Sequence, residues 1–302
     1  MPTLEVQDLH FSYQRQHPIL TDLNFTVPTQ SIYGFLGRNG AGKSTTIRNI
    51  LGLLQPNRGS IQIFGEDMKQ AKRPIFRRIG ALIEAPSLYP NLSAQDHLRI
   101  ACRYQAVDET RIPIVLKQVG LFDARTKPSR HYSTGMKQRL GLAMALLHEP
   151  DFLILDEPIN GLDPQGISDV RELLLDLQQQ GKTILLSSHL LSEIEKIASH
   201  VGIIKDGTLL FEGDQKALQN WKQEQQQLEI SVSNPERAKE LLPANTFVQQ
   251  DRQRIIVQQL DEKAVAQLVR DLVKAELEVY EIKRLTSDLE QLFMEINQDI
   301  VS

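Results

Sequence analysis

Nothing in the chain constrains its fold more than residues 37–45, which read Gly-Arg-Asn-Gly-Ala-Gly-Lys-Ser-Thr. Glycines at such spacing let a backbone curl until successive N–H groups converge on one anion-sized concavity. The apolar run Ile32–Leu36 precedes the loop as a buried strand. A helix follows, expected from Lys43 to about Leu53 and ending near Gly52 and Pro56. Its positive end then points at the same concavity. The pattern G-x-x-x-x-G-K-[ST] is that of a phosphate-binding loop. Gly37, Arg38, Asn39, Gly40, Ala41, Gly42 and Thr45 line the cradle, Lys43 reaches β- and γ-phosphates, and the Ser44 hydroxyl coordinates Mg2+.

A metal beside phosphates needs acidic company at the end of another strand. The run Phe152-Leu153-Ile154-Leu155-Asp156-Glu157 supplies it. Asp156 suits a place around the Mg2+, and Glu157 suits polarising a water for attack on the γ-phosphate.

Glycine divides the chain. All 17 glycines lie at or before Gly213, and the remaining residues have none. The net charge of −4 belongs to residues 215–302, which carry 11 basic and 15 acidic groups. We expect a first domain over 1–213, a glutamine-rich linker or helix over 214–227 around Trp221, and a second domain over 228–302. The first alternates strands and helices, with strands at Leu4–Val6, Phe25–Val27, Ile79–Ile83, Phe152–Leu155, Thr183–Ser187 and Val201–Lys205. A hairpin turns on Asp206-Gly207, and residues 94–148 are mostly helical in pattern. The class is α/β with a largely parallel sheet. In the second domain, Leu228–Val232, Arg254–Gln258 and Leu277–Ile282 read as strands, and Asp261–Leu272 as an amphipathic helix. Ser287–Ile296 reads as a helix with Ser287 and Glu290 as a capping box, giving a small α+β fold.

Composition excludes several classes. A weakly acidic chain of 302 residues without a dominant basic patch argues against nucleic acid as a partner. One cysteine, Cys102, excludes a disulfide framework and fits a reducing compartment. No apolar run is long enough to span a membrane, and MPTLEVQDLHF lacks the features of a secretory signal. The expected location is cytoplasmic.

With these residues in view, the chain resembles the ATP-binding cassette ATPases, the motor subunits of membrane transporters, over 1–213. Tyr132-Ser133-Thr134-Gly135-Met136 is similar to the family's LSGGQ signature in degenerate form, with Ser133 and Gly135 matching and Ser133 lying 23 residues before Asp156. Asn160-Gly161-Leu162-Asp163 resembles the D-loop, with Asp163 facing a partner subunit. His189, in Leu-Leu-Ser-Ser-His, stands where the family has its switch histidine. Tyr13 stands where an aromatic ring stacks on adenine, or is an ordinary aromatic at a strand end. Glu84 replaces the glutamine that touches Mg2+. That substitution and the signature resemble the subgroup serving bacitracin and lantibiotic export, including producer self-protection.

The resemblance implies a P-loop nucleotide-binding fold with a parallel-sheet core, an antiparallel β subdomain and a helical subdomain. It implies ATP and Mg2+ as cofactors, and catalysis by Glu157 and His189. Its ATP-sandwiched homodimer or heterodimer would sit on the inner face of the cell membrane through a separate transmembrane permease. Residues 84–104 would meet the permease, with Tyr89, Pro90 and Leu92 as apolar contacts. Lys69, Lys72, Arg73, Arg77 and Arg78 form either a solvated helix face or a contact with anionic lipid. Rival readings are an exporter of a drug, lipid-linked polymer or ion, a ribosome- or DNA-directed cassette protein, and a low-turnover regulatory module. The second domain is similar to accessory domains of export cassettes.

Overall fold

The computed structural model describes residues 1–14, 17–70, 72–224, 227–243, 246–251, 254–258 and 262–285. They form two compact units, Met1–Gln215 and Lys216–Ser302. In chain order the first unit runs β1 (Leu4–Gln14), β2 (His17–Val27), β3 (Ile32–Leu36), α1 (Lys43–Ile50), β4 (Arg58–Ile63), β5 (Glu66–Asp67), α2 (Lys72–Phe76) and β6 (Ile79–Leu82). It continues through α3 (Ala94–Gln105), α4 (Arg111–Gln118), α5 (Thr134–Leu146), β7 (Phe152–Asp156), α6 (Pro164–Gln179), β8 (Thr183–Ser188), α7 (Leu191–Ile194), β9 (His200–Lys205) and β10 (Thr208–Asp214).

A six-stranded sheet of order β10-β9-β3-β8-β7-β6 forms the core of this unit, parallel except for β10. Every residue of β3, β7 and β8 is buried. That is why these strands read as continuous apolar runs: a parallel sheet is covered on both faces. A second sheet, β2-β1-β4-β5, is antiparallel. The stacked rings of Phe25 and Phe35, 5.2 Å between centroids, join the two sheets, and Ile47 and Ile50 of α1 belong to the same cluster.

The helix after the phosphate loop stops at Ile50, three residues short of expectation. The Arg48 carbonyl accepts from both Leu53 and Leu54 N–H, so the chain unwinds in a C-terminal turn around Gly52 (φ 62°). Leu4–Val6 and Phe25–Val27 are parts of two 11-residue strands whose pairing is interrupted by register shifts, which break the alternation that would have revealed their length. Among the basic cluster, Arg78, just beyond α2, bonds Asp151 (2.7 Å) and lies 3.7 Å over the Phe64 ring while staying exposed.

At the boundary the expected linker is a helix, α8 (Gln215–Glu224). The second unit then follows as β11 (Gln227–Val232), α9 (Pro235–Glu240), β12 (Phe247–Asp251), β13 (Arg254–Gln258), α10 (Glu262–Lys274) and β14 (Val279–Leu285). Its sheet, β12-β13-β11-β14, is antiparallel throughout. Leu228, Ile230, Val232, Ile255 and Val257 meet Leu268 and Leu272 of α10 in one core. The last strand begins two residues later than expected, at Val279. The helix expected over Ser287–Ile296 lies outside the described residues, as does Asp261.

Candidate active site

Strands β3, β8 and β7 are neighbours, and the chain leaves their carboxyl ends toward the phosphate loop, His189 and Glu157 respectively. Ligands of parallel α/β sheets bind at such strand ends. In the loop, Gly40 (φ 84°) and Gly42 (φ 109°) take left-handed conformations. Gly42 is also the N-cap of α1, a position where a side chain would be strained. Lys43 is only 5 % exposed, and its Nζ donates to the carbonyls of Gly37 (2.7 Å) and Arg38 (3.3 Å). The same Nζ lies 3.2 Å from Glu157 Oε1, an ion pair without full hydrogen-bond geometry.

Glu157 is over-determined. Its φ of 49° is rare for a residue with a side chain, and its surroundings hold it there. Its N–H donates to Ser187 Oγ (3.0 Å), its carbonyl accepts from Asn160 N–H (3.1 Å) and Gln138 Nε2 (3.4 Å), and Oε2 lies 2.8 Å from His189 Nδ1. Burial pushes the carboxyl pKa up, but the His189 bond and the Lys43 charge outweigh it, leaving the group below its ordinary 4.5. Near neutral pH it is a carboxylate.

Asp156 is 1 % exposed. Ser187 Oγ donates to its Oδ1 at 2.5 Å, while buried Oδ2 has no hydrogen-bond partner among the described residues. An orphaned buried carboxylate oxygen costs about 1–3 kcal/mol, more when charged, and fits a cation or its water. Ser187 thus serves both acidic residues. The parallel register that sets Asp156 opposite Ser187 puts it there. No local motif announces Ser187, because the signal is a pairing between strands.

Glu84 (φ 57°), beyond β6, lies at the same edge of the sheet. Its carboxylate pairs with Arg48, which shares a face of α1 with Ser44 one turn earlier. Arg48 therefore offsets the charge that glutamate adds, a function not evident from its place in the sequence.

The remaining expected residues do not join this cluster. Ser133 caps α5, its Oγ accepting from Met136 N–H (3.2 Å), and Asp163 caps α6, its Oδ1 accepting from Gly166 N–H (2.9 Å). The two loops touch: a Cβ on Gly135 would stand 3.3 Å from Leu162 Cδ2. Both caps are exposed. Tyr13, near the end of β1, is exposed and packs edge-on against Phe11 at 4.9 Å.

The chain is similar to known proteins of one family. Residues 20–160 match the ABC transporter family model. The chain is 49 % identical over 211 residues to the bacitracin transport ATP-binding protein BcrA of Bacillus licheniformis, covering 69 % of each chain. To the lantibiotic transport ATP-binding protein SrtF of Streptococcus pyogenes it is 41 % identical over 217 residues, 72 % of this chain and 93 % of that one. A solved ATP-binding subunit of an ABC transporter superposes with a TM-score of 0.66 at 34 % identity, covering 73 % of this chain and 93 % of its own. Relatives matching nearly the whole chain are described as uncharacterized ABC transporter ATP-binding proteins. No helix among the described residues is long and apolar enough to cross a membrane. A phosphate loop closed on a charged Lys43–Glu157–His189 cluster, in a chain this similar to transport ATP-binding proteins, makes it an ATPase of the ABC transporter family.

Proposed function

We propose that the chain powers an exporter of peptide antibiotics of the bacitracin or lantibiotic type, serving resistance or self-immunity. The observation carrying the cargo reading is its 49 % identity to a bacitracin transport ATPase, alongside the lantibiotic relative. Export of a drug, lipid-linked polymer or ion is the alternative, supported by full-length relatives without assigned cargo.

In this reading the phosphate loop and Lys43 bind the β- and γ-phosphates of ATP, and Tyr13 stacks on adenine. When Lys43 turns to phosphate, the charge holding down the Glu157 pKa leaves, and the carboxylate becomes a better base. Glu157 takes a proton from water as its oxygen bonds the γ-phosphorus and the β–γ bridging bond breaks, releasing ADP and phosphate. His189, bonded to Glu157, orients the water and the γ-phosphate. Ser44, Asp156 and Glu84 are the residues that would hold Mg2+, which supplies positive charge against the phosphate oxygens. Each chain offers one phosphate loop and one Ser133 cap, so two copies, or this chain and a close relative, complete each site across a two-fold interface. Tyr89, Pro90 and Leu92 meet a transmembrane permease, keeping the ATPase at the inner membrane face. The second unit stabilises or regulates the dimer.

The test is growth inhibition of the native host carrying a Glu157→Gln copy, across bacitracin, lantibiotics and unrelated drugs. Selective hypersensitivity to the peptides is expected. Unchanged sensitivity to all of them sinks the cargo assignment and leaves the ATPase assignment standing.

A further inference from the structure

One buried titratable side chain of the first unit has no part in this chemistry. His97, on α3, is 4 % exposed. Its Nδ1 lies 2.8 Å from the Ser93 carbonyl oxygen, and its Nε2 lies 2.9 Å from Tyr89 N. An amide N–H only donates, so Nε2 accepts and the proton belongs on Nδ1, where the carbonyl receives it. The tautomer assigned from these partners is thus neutral, and the ring also stacks against that of Tyr89, 6.0 Å away.

Tyr89 is held from the other side as well. Its carbonyl accepts from Ser129 Oγ (2.8 Å) and Leu92 N–H (3.0 Å). Ser129 N–H donates to the Leu92 carbonyl (2.9 Å), Arg130 N–H to that of Pro90 (3.0 Å), and Arg130 Nη1 to Asn91 Oδ1 (2.9 Å). Both peptide groups of Tyr89 are therefore fixed while its side chain remains 65 % exposed. Ser129 is itself buried, and the chain passes from Arg130 through Tyr132 to the Ser133 cap of α5.

We propose that His97 is a positioning residue: it pegs the segment 89–92 to α3, so that Tyr89 is presented in one conformation and moves together with the Ser133 loop. Without the imidazole acceptor the Tyr89 N–H has no partner in this segment, and the strap is held only from the Ser129 side. The inference rests on the reading of Tyr89 as a permease contact, and two measurements separate their fates.

The first is amide hydrogen exchange on the full chain, comparing His97→Gln, whose amide oxygen can replace the acceptor, with His97→Phe, which cannot. Exchange at the Tyr89 amide is expected to quicken about tenfold in H97F and stay near wild type in H97Q. The second is binding of the purified chain to everted membrane vesicles of the native host, stripped of peripheral proteins. Y89A and H97F are expected to weaken binding about tenfold, and H97Q to leave it intact. Wild-type exchange in H97F overturns the peg. Weak binding by Y89A with normal binding by H97F also overturns it, leaving the docking surface in place. Normal binding by Y89A removes the docking surface and the peg's purpose together. Should H97F fail to fold, His97→Leu, smaller than the phenyl ring and equally without an acceptor, takes its place, and wild-type exchange at the Tyr89 amide there overturns the peg.

Discussion

The two polar clusters of the first unit dispose of their side chains in opposite ways. At the phosphate loop, Lys43, Glu157, His189, Asp156 and Ser187 bond mainly to one another and to neighbouring backbone, and Lys43 and Asp156 are buried. In the Ser133–Asp163 pair of loops, each side chain caps its own helix and stays in solvent. The first cluster is a pre-organised network of charged and polar groups; the second is a pair of capped helix ends whose capping side chains are exposed. The difference teaches where the reaction's parts reside. Lys43 and Asp156 are shielded by the core, whereas Ser133 and Asp163 are left at the surface on capped helices.

The sharpest way to break this comparison is Glu157→Gln. Hydrolysis is expected to fall about 10²–10⁴-fold with ATP still bound, since the loop and Lys43 are untouched. Retention of more than a tenth of the activity would remove Glu157 from the role of base.

Next in size is Ser133→Arg, which places bulk at the exposed cap. Alone it is expected to cost about 10²-fold in turnover, comparable to losing a group that stabilises the transition state. Mixed in equal amounts with E157Q, it is expected to recover about a quarter of wild-type activity, because half the dimers then hold one intact site. No recovery on mixing means that Ser133 acts within its own chain or only as a helix cap, which is worth about 1 kcal/mol of stability.

A smaller effect concerns acid stability. The folded-state pKa of Glu157 lies below its ordinary 4.5, so its contribution is present above that value and is lost as pH falls through the folded value. E157Q lacks this loss. Its thermal midpoint should therefore decline less steeply than wild type as pH drops below about 4.5. Parallel declines would mean that the carboxylate gains nothing from Lys43 and His189 in the folded state.

The smallest expected effect is at Glu84. The pair with Arg48 is largely exposed, so E84Q should change chemical-denaturant stability by less than about 1 kcal/mol. Its signature belongs instead in the Mg2+ concentration needed for half-maximal hydrolysis, measured beside R48Q. A large stability loss would make Glu84 a structural residue.

Much of the first cluster was legible in order along the chain because its parts sit at the ends of apolar strands. Lys43 follows a contiguous glycine pattern, Asp156 and Glu157 end one run, and His189 ends another. Local patterning of that kind survives without knowledge of the fold. The second unit was less legible. Phe247–Asp251, with Gln249 and Gln250, carries too few apolar residues to announce β12, and only pairing with β13 makes it a strand.

Sequence alone determined the phosphate loop, the acidic strand end and the glycine-poor second unit, because each is written in adjacent residues whose chemistry acts locally. Only the tertiary structure decided which residues serve them. Ser187 reaches Asp156 and Glu157 through a parallel register, Arg48 meets Glu84 across 36 residues, and His97 accepts from Tyr89 where a loop folds back on a helix. Hydrogen bonds and ion pairs depend on ångström distances between groups that chain order leaves unspecified, and packing of the sheet and helices sets those distances.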